Sequence, residues 1–262
     1  MASLATFRKV LLFLFVRFPF VNALTFLMLL AERSQRESYP FLNPKIIYGQ
    51  IVVFIIVGVC LSANLRRKDA TLVYCGQLFY MAYGIYTSDR IKYREWQKLR
   101  MVVRVGGTAG IYCIFAYLAD LKIKSTQLRR AGETIIGIYL VCITYMLINF
   151  EQDYDAFVYH VIGGEVIIYI VAAVLLGCGI AFFMGKYIRD VSAICAITLL
   201  FLILFTDVNT GYWQIKGVDF WNQIRMIVDD LAVICGLGII ERLDNIVVCV
   251  IDCMGFILQQ LL

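Results

Sequence analysis

Five charged residues lie inside or at the ends of otherwise apolar stretches: Arg17, Arg104, Glu165, Asp229 and Asp230. A charge at bilayer depth costs on the order of 2.5–3.5 kcal/mol on insertion scales, so each of them needs a partner, a polar cavity or the headgroup layer. Beyond charge pairing, the chain has few parts with which to do chemistry. The single histidine, His160, has Asp153, Asp155 and Glu165 close in sequence. Together they would form an acid–base cluster at one membrane face, or His160 is a structural imidazole. No His-x-x-Glu-His or Glu-x-x-His spacing supplies a metal site, so no catalytic residue, metal or cofactor is expected and the chain reads as a non-enzyme. All nine cysteines fall in apolar runs, where a thiol behaves as a small hydrophobe; neither a disulfide framework nor an activated nucleophile is expected. The glycine-rich run Val105–Gly110 lacks the Lys-Ser/Thr ending of a phosphate-binding loop.

The elements that must hold these charges are membrane helices. Of 262 residues, 61% are hydrophobic and only 16% charged, and the mean hydropathy is +0.80; a soluble surface needs more charge than this. The net charge of +5 suits basic loops facing anionic headgroups and gives no reason to expect nucleic acid. The apolar runs lack the alternation of barrel strands, which leaves an all-α, polytopic transmembrane bundle.

Taking about 20 residues per crossing, eight spans are expected: Val10–Ala31, Ile46–Asn64, Ala70–Tyr86, Met101–Leu118, Thr134–Phe150, about His160–Met184, Tyr187–Phe205 and Ile224–Ile240. The first is too long for a signal-peptide core and reads as a retained span kinked at Pro19. Residues 1–245 thus form one transmembrane domain. Residues 246–262, apolar but interrupted by Asp252, form an interfacial helix or a short further span. Basic residues divide almost evenly between the two sets of loops, leaning towards a cytoplasmic amino terminus.

Trp96-Gln-Lys-Leu-Arg-Met101 and Trp221-Asn-Gln-Ile-Arg-Met226 share one pattern, displaced by 125 residues. If this marks a duplication, the chain is a 4+4 repeat about an axis along the membrane normal. The third and seventh loops would then share a side, and Trp96, Trp213 and Trp221 would be interfacial anchors. Arg104 and Asp229 occupy equivalent positions in the two halves. They either pair across the pseudo-two-fold or reach the interface separately, with Asp229 four residues from Arg225. Glu165, after Gly163-Gly164, is either interfacial or lines a cavity. Gly106 with Gly110, and Gly177 with Ala181, have the spacing for close helix approach.

Several segments in order resemble the transmembrane protein 101 family: Leu27-Met-Leu-Leu-Ala-Glu-Arg33, Lys98-Leu-Arg-Met101 with Arg104, Gly137-Ile-Tyr-Leu-Val-Cys142 with Tyr145, Gly163-Gly-Glu165, and Gly211-Tyr-Trp213 with Val218-Asp-Phe-Trp-Asn-Gln223. The resemblance implies a metazoan eight-span protein without established enzymatic activity, loosely linked to NF-κB signalling. It transfers no catalytic residue and does not reach the tail beyond Ile246. The functional expectation is a lipid-contacting accessory subunit of the endoplasmic reticulum. It would associate with membrane phospholipids and another membrane protein, such as a bridge-like lipid-transfer protein. The alternatives are a small-molecule or ion transporter that uses the intramembrane charges, and a signalling scaffold.

Overall fold

The computed structural model describes residues 2–35, 43–87, 93–119 and 125–240. The expected tail at 246–262, and with it the expected domain boundary at 245, lies outside these residues. Among them the chain is helical throughout and forms no strand. The elements are α1 (Ala2–Phe15), α2 (Phe18–Gln35), α3 (Pro44–Ser62), α4 (Arg67–Thr87), α5 (Glu95–Ala119), α6 (Thr126–Asn149), α7 (Glu151–His160), α8 (Gly164–Met184), α9 (Ile188–Leu202), α10 (Thr210–Ile215) and α11 (Phe220–Ile240). A π-helical turn, Ile203–Asp207, extends α9.

Among the described residues five helices are long and apolar enough to cross a bilayer: α3, α5, α6, α8, and α9 with its π turn. A sixth span results if α1 and α2, bent by 42° at their junction, count as one. The count of eight expected above is therefore not reached on length and apolarity. Helices do form at the third and eighth expected spans. However, α4 is diluted by tyrosines and Gln77, and α11 carries Arg225, Asp229 and Asp230 in its middle. Neighbours cover the three charges of α11, and on α4 they cover Tyr74 and Gln77 while Tyr80, Tyr83 and Tyr86 stay exposed. The expected sixth span also begins later, because residues 151–160 form the separate helix α7 and Gly163, at a φ of +71°, turns the chain into α8.

The kink expected at Pro19 falls slightly earlier, at Val16 and Arg17. Pro19 sits in the first turn of α2, where its missing N–H costs no helical bond. At the break the Arg17 guanidinium donates to the Phe13 carbonyl at 3.1 Å and lies 3.4 Å above the Phe13 ring. Arg17 is thus held locally.

The helices pack in sequence, α4 on α5, α5 on α6 and α6 on α8, and α11 returns to lie against α5, α2, α1 and α9. Polar contacts fix that return. Glu32 of α2 accepts the backbone N–H groups of Phe220 and Trp221 at 3.3 and 3.1 Å, a carboxylate placed at the positive end of α11. Arg33 pairs with Asp219 at 3.4 Å. Outward faces remain apolar: on α3, Val52, Ile55, Ile56 and Val59 are all exposed while Phe54, Val57 and Leu61 face inward. A helix that is apolar on both faces is suited to a lipid surround.

Helix spacing around α5 is set by glycines. A Cβ on Gly107 would fall 2.5 Å from the Tyr139 ring, one on Gly110 2.8 Å from Ile135, and one on Gly236 of α11 2.1 Å from Ile111. At Gly106 and Gly177 it would meet nothing within 4 Å. Close approach therefore occurs at Gly107 and Gly110, and the expected packing role of Gly106 and Gly177 is corrected. We expect Gly107→Ala and Gly236→Ala each to lower stability by about 1–3 kcal/mol through overpacking. Gly106→Ala and Gly177→Ala should stay within about 0.5 kcal/mol of the parent or stabilise slightly. Thermal unfolding of the four variants in one detergent checks this.

Candidate functional site

Arg100 and Arg104 are four residues apart on α5, one helical turn, so both guanidinium groups reach the same neighbours. Two like charges stacked this way repel each other and are buried, at 1% and 5% exposure. Anions must therefore be brought to them, and three different elements supply one each. Asp207, at the end of the π turn, takes a bidentate contact from Arg104 Nη2 at 2.9 and 2.8 Å, and Arg100 Nη2 also donates to it. Asp230 of α11 meets Arg104 Nε at 2.7 Å. Asp153 of α7 meets Arg100 Nε at 3.3 Å.

Neutral groups complete the shell. Tyr139 of α6 donates its hydroxyl to Asp230 at 2.8 Å. Gln223 of α11 accepts from Arg100 at 3.2 Å and donates to the Asp207 carbonyl at 2.9 Å. The Trp213 ring lies 3.4 Å from the Arg100 guanidinium, and its indole N–H donates to the Thr206 carbonyl at 2.8 Å. The π turn is what aims Asp207 inward. Its Val208 N–H bonds the carbonyl of Ile203, five residues back, at 3.0 Å, and this wide register shifts the phase of the last turn.

Arg104, Tyr139, Asp153, Asp207 and Asp230, with Met146, Leu202 and Thr206, line a partly open cavity of about 30 Å³. That is room for a water or two and far too little for a lipid. Three carboxylates, Asp153, Asp207 and Asp230, share its wall with the Arg104 guanidinium. On α7, outside the spans, burial pushes the Asp153 carboxyl above its ordinary range, against the pull of Arg100 and Arg104. On α10, burial and then the charge of Asp155 push the Tyr212 phenol up to about 12; it stays a neutral donor, to the Gln152 carbonyl at 3.0 Å.

Of the residues singled out by sequence, the structure brings Arg104, Asp230 and Trp213 together at this cluster. Asp229 turns away. It lies one residue, about 100° of helix, from Asp230 and faces Arg225 at 4.0 Å, while its carbonyl accepts from Thr108. Arg104 pairs with Asp230 and Asp207, so the pairing of Arg104 with Asp229 across the two halves is corrected by one residue. Neither Arg104 nor Asp229 reaches the interface, both being buried.

Trp213 is fully buried, which corrects its reading as an interfacial anchor. Trp96 and Trp221 are half-buried. Trp96 lies 6.3 Å from Trp213, and Gln97 donates to the Gly217 carbonyl at 3.2 Å, so the starts of α5 and α11 share one end of the bundle. Glu165 is exposed in the first turn of α8, which corrects its candidacy as a cavity residue. His160 joins no acid–base cluster: its Nδ1 meets the Ala156 carbonyl and its Nε2 the Asn209 amide, both at 2.6 Å, while Asp153 and Asp155 turn to Arg100 and Lys216.

Sequence reasoning missed Arg100, Tyr139, Asp207 and Gln223, and it set Asp153 beside His160 where the structure sets it on Arg100. Arg100 lies one residue before the expected fourth span and Asp207 two residues beyond the expected seventh. One signal was present: two arginines one turn apart at the mouth of an apolar helix require more than one carboxylate partner. We expect a double-mutant cycle on Arg104→Leu and Asp230→Asn to give a coupling of about 0.5–3 kcal/mol, and the same cycle with Asp229→Asn to give a coupling near zero. Unfolding in detergent provides the reading.

No solved structure matches the chain. The description TMEM101 protein family matches residues 2–242, which takes in every element of the cluster. With helices in the order and places described, the chain belongs to the TMEM101 protein family.

Proposed function

We propose that this chain is a non-enzymatic, lipid-contacting membrane subunit that works packed against a span of another membrane protein. The observation that carries this reading is the division of surfaces. The charges of α5, α7, the π turn and α11 are matched to one another within the bundle, while α3 presents the continuous apolar stripe of Val52, Ile55, Ile56 and Val59 outward. Spacing of i, i+3, i+4 and i+7 makes this one face of a helix, available to acyl chains or to a partner's helix. In its finer form the partner is a bridge-like lipid-transfer protein of the endoplasmic reticulum, and the subunit assists phospholipid passing between bilayer and bridge.

Purification in mild detergent with lipid mass spectrometry tests the proposal. We expect phospholipid and a stoichiometric membrane partner to co-purify, and both to be reduced at least several-fold by Ile55→Lys with Val59→Lys on the exposed face. A folded protein that elutes alone and free of phospholipid overturns it.

A second reading, transport of protons or small ions, is favoured by one specific observation: the partly open cavity lined by three carboxylates and the Arg104 guanidinium. Reconstituted in proteoliposomes, a transporter would dissipate an imposed ion gradient. Asp207→Asn and Asp230→Asn would abolish the flux, and exposed Glu165→Gln would leave it intact. No flux above that of empty liposomes rejects this reading.

A further inference from the structure

Four of the buried cysteines are arranged as two pairs on adjacent helices. The Sγ atoms of Cys75 on α4 and Cys113 on α5 are 3.6 Å apart. Cys178 on α8 and Cys195 on the adjoining α9 are also neighbours whose thiols interact. All four side chains are buried, Cys195 completely. In sequence these residues are 38 and 17 positions apart, so no spacing motif announces them. Adjacent antiparallel helices create both pairs.

The two pairs also lie at similar depth at one end of the bundle. Cys75 follows the start of α4, Cys113 and Cys178 precede the ends of α5 and α8, and Cys195 follows the start of α9, each by six to eight residues. At 1.5 Å per residue this is about 9–12 Å from the helix ends. These helix ends are on one side: Arg130, near the start of α6, reaches the Phe183 carbonyl at the end of α8, and Gly132 packs on Ile114 near the end of α5. The ion cluster occupies the opposite end, at the start of α5.

We propose that these are two covalent cross-linking sites, each pair closing to a disulfide when an apolar hydroperoxide reaches it through the membrane. An S–S bond is about 2.05 Å long, so the 3.6 Å Cys75–Cys113 separation shortens by about 1.5 Å on closure. One sulfur attacks the hydroperoxide, the O–O bond breaks, an alcohol leaves with a proton, and a sulfenic acid remains. The neighbouring thiol then displaces that hydroxyl as water and forms the S–S bond. The two sulfurs lose two electrons in total and the peroxide gains them. The products would clamp α4 to α5 and α8 to α9, at the end away from the ion cluster. Buried among apolar side chains, these thiols are shielded from polar oxidants, which selects an apolar co-reactant.

The test uses the full chain in phosphatidylcholine liposomes treated with cumene hydroperoxide, then alkylated, digested and mapped by mass spectrometry. We expect linked peptides joining Cys75 to Cys113 and Cys178 to Cys195, each lighter by two hydrogens and reopened by a phosphine. Cys75→Ala should remove only the first link and Cys178→Ala only the second. A parent protein that retains four alkylatable thiols at these positions, or oxidises them singly to sulfinic acids without links, overturns the proposal. The peptide map of the parent decides this even if a variant fails to fold.

Discussion

Placing two guanidinium groups one turn apart inside an apolar bundle is the constraint that the rest of this structure answers. Neither Arg100 nor Arg104 can be left unpaired at depth, and Asp207, which touches both, can neutralise only one. The chain therefore gathers anions from three elements that are distant in sequence: α7, the end of α9 and α11. Each must be delivered at the right height on α5. The short helix α7 brings Asp153, the π turn rotates Asp207 inward, and the docking of α11 sets Asp230 against Arg104. What look like irregularities in a helical bundle are the means by which these carboxylates reach their positions.

The same demand explains how α11 can lie in the bundle at all. With Arg225, Asp229 and Asp230 in its middle it is a poor membrane helix alone, and it becomes tolerable because each charge has a partner in place. Asp230 belongs to the cluster, Asp229 answers Arg225, and Glu32 covers the backbone N–H groups at the helix start. Glycine at 107 and 236 lets α6 and α11 come close enough to α5 for Tyr139 and Asp230 to meet. Close packing and charge pairing are thus one arrangement, and loosening either would separate the partners of the other.

The two ends of the bundle differ in character. Around the start of α5 lie the ion cluster, the small polar cavity and the buried Trp213; towards its other end lie two thiol pairs in apolar surroundings. One end is thus polar and internally paired, and the other is apolar.

From sequence alone the helical class, the membrane setting and the family resemblance were legible, because hydropathy and short ordered motifs are local properties. Arg104 and Asp230 stood out for the same reason, as charges in apolar runs. Which carboxylate Arg104 meets was not legible: Asp229 and Asp230 differ by about 100° around one helix, and only the rotation of α11 against α5 chooses between them. Asp207 was hidden by a local change of helical register, and Arg100 by lying where a loop was expected to end. Gly106 and Gly107 are indistinguishable as small residues until Tyr139 is placed over one of them, and the cysteines read as scattered hydrophobes until antiparallel neighbours set them in pairs. Composition and periodicity determined that helices form and that lipid surrounds them, since burial of apolar surface depends on what each segment contains. Pairing depended on helix rotation and depth, which only the packed tertiary structure decides.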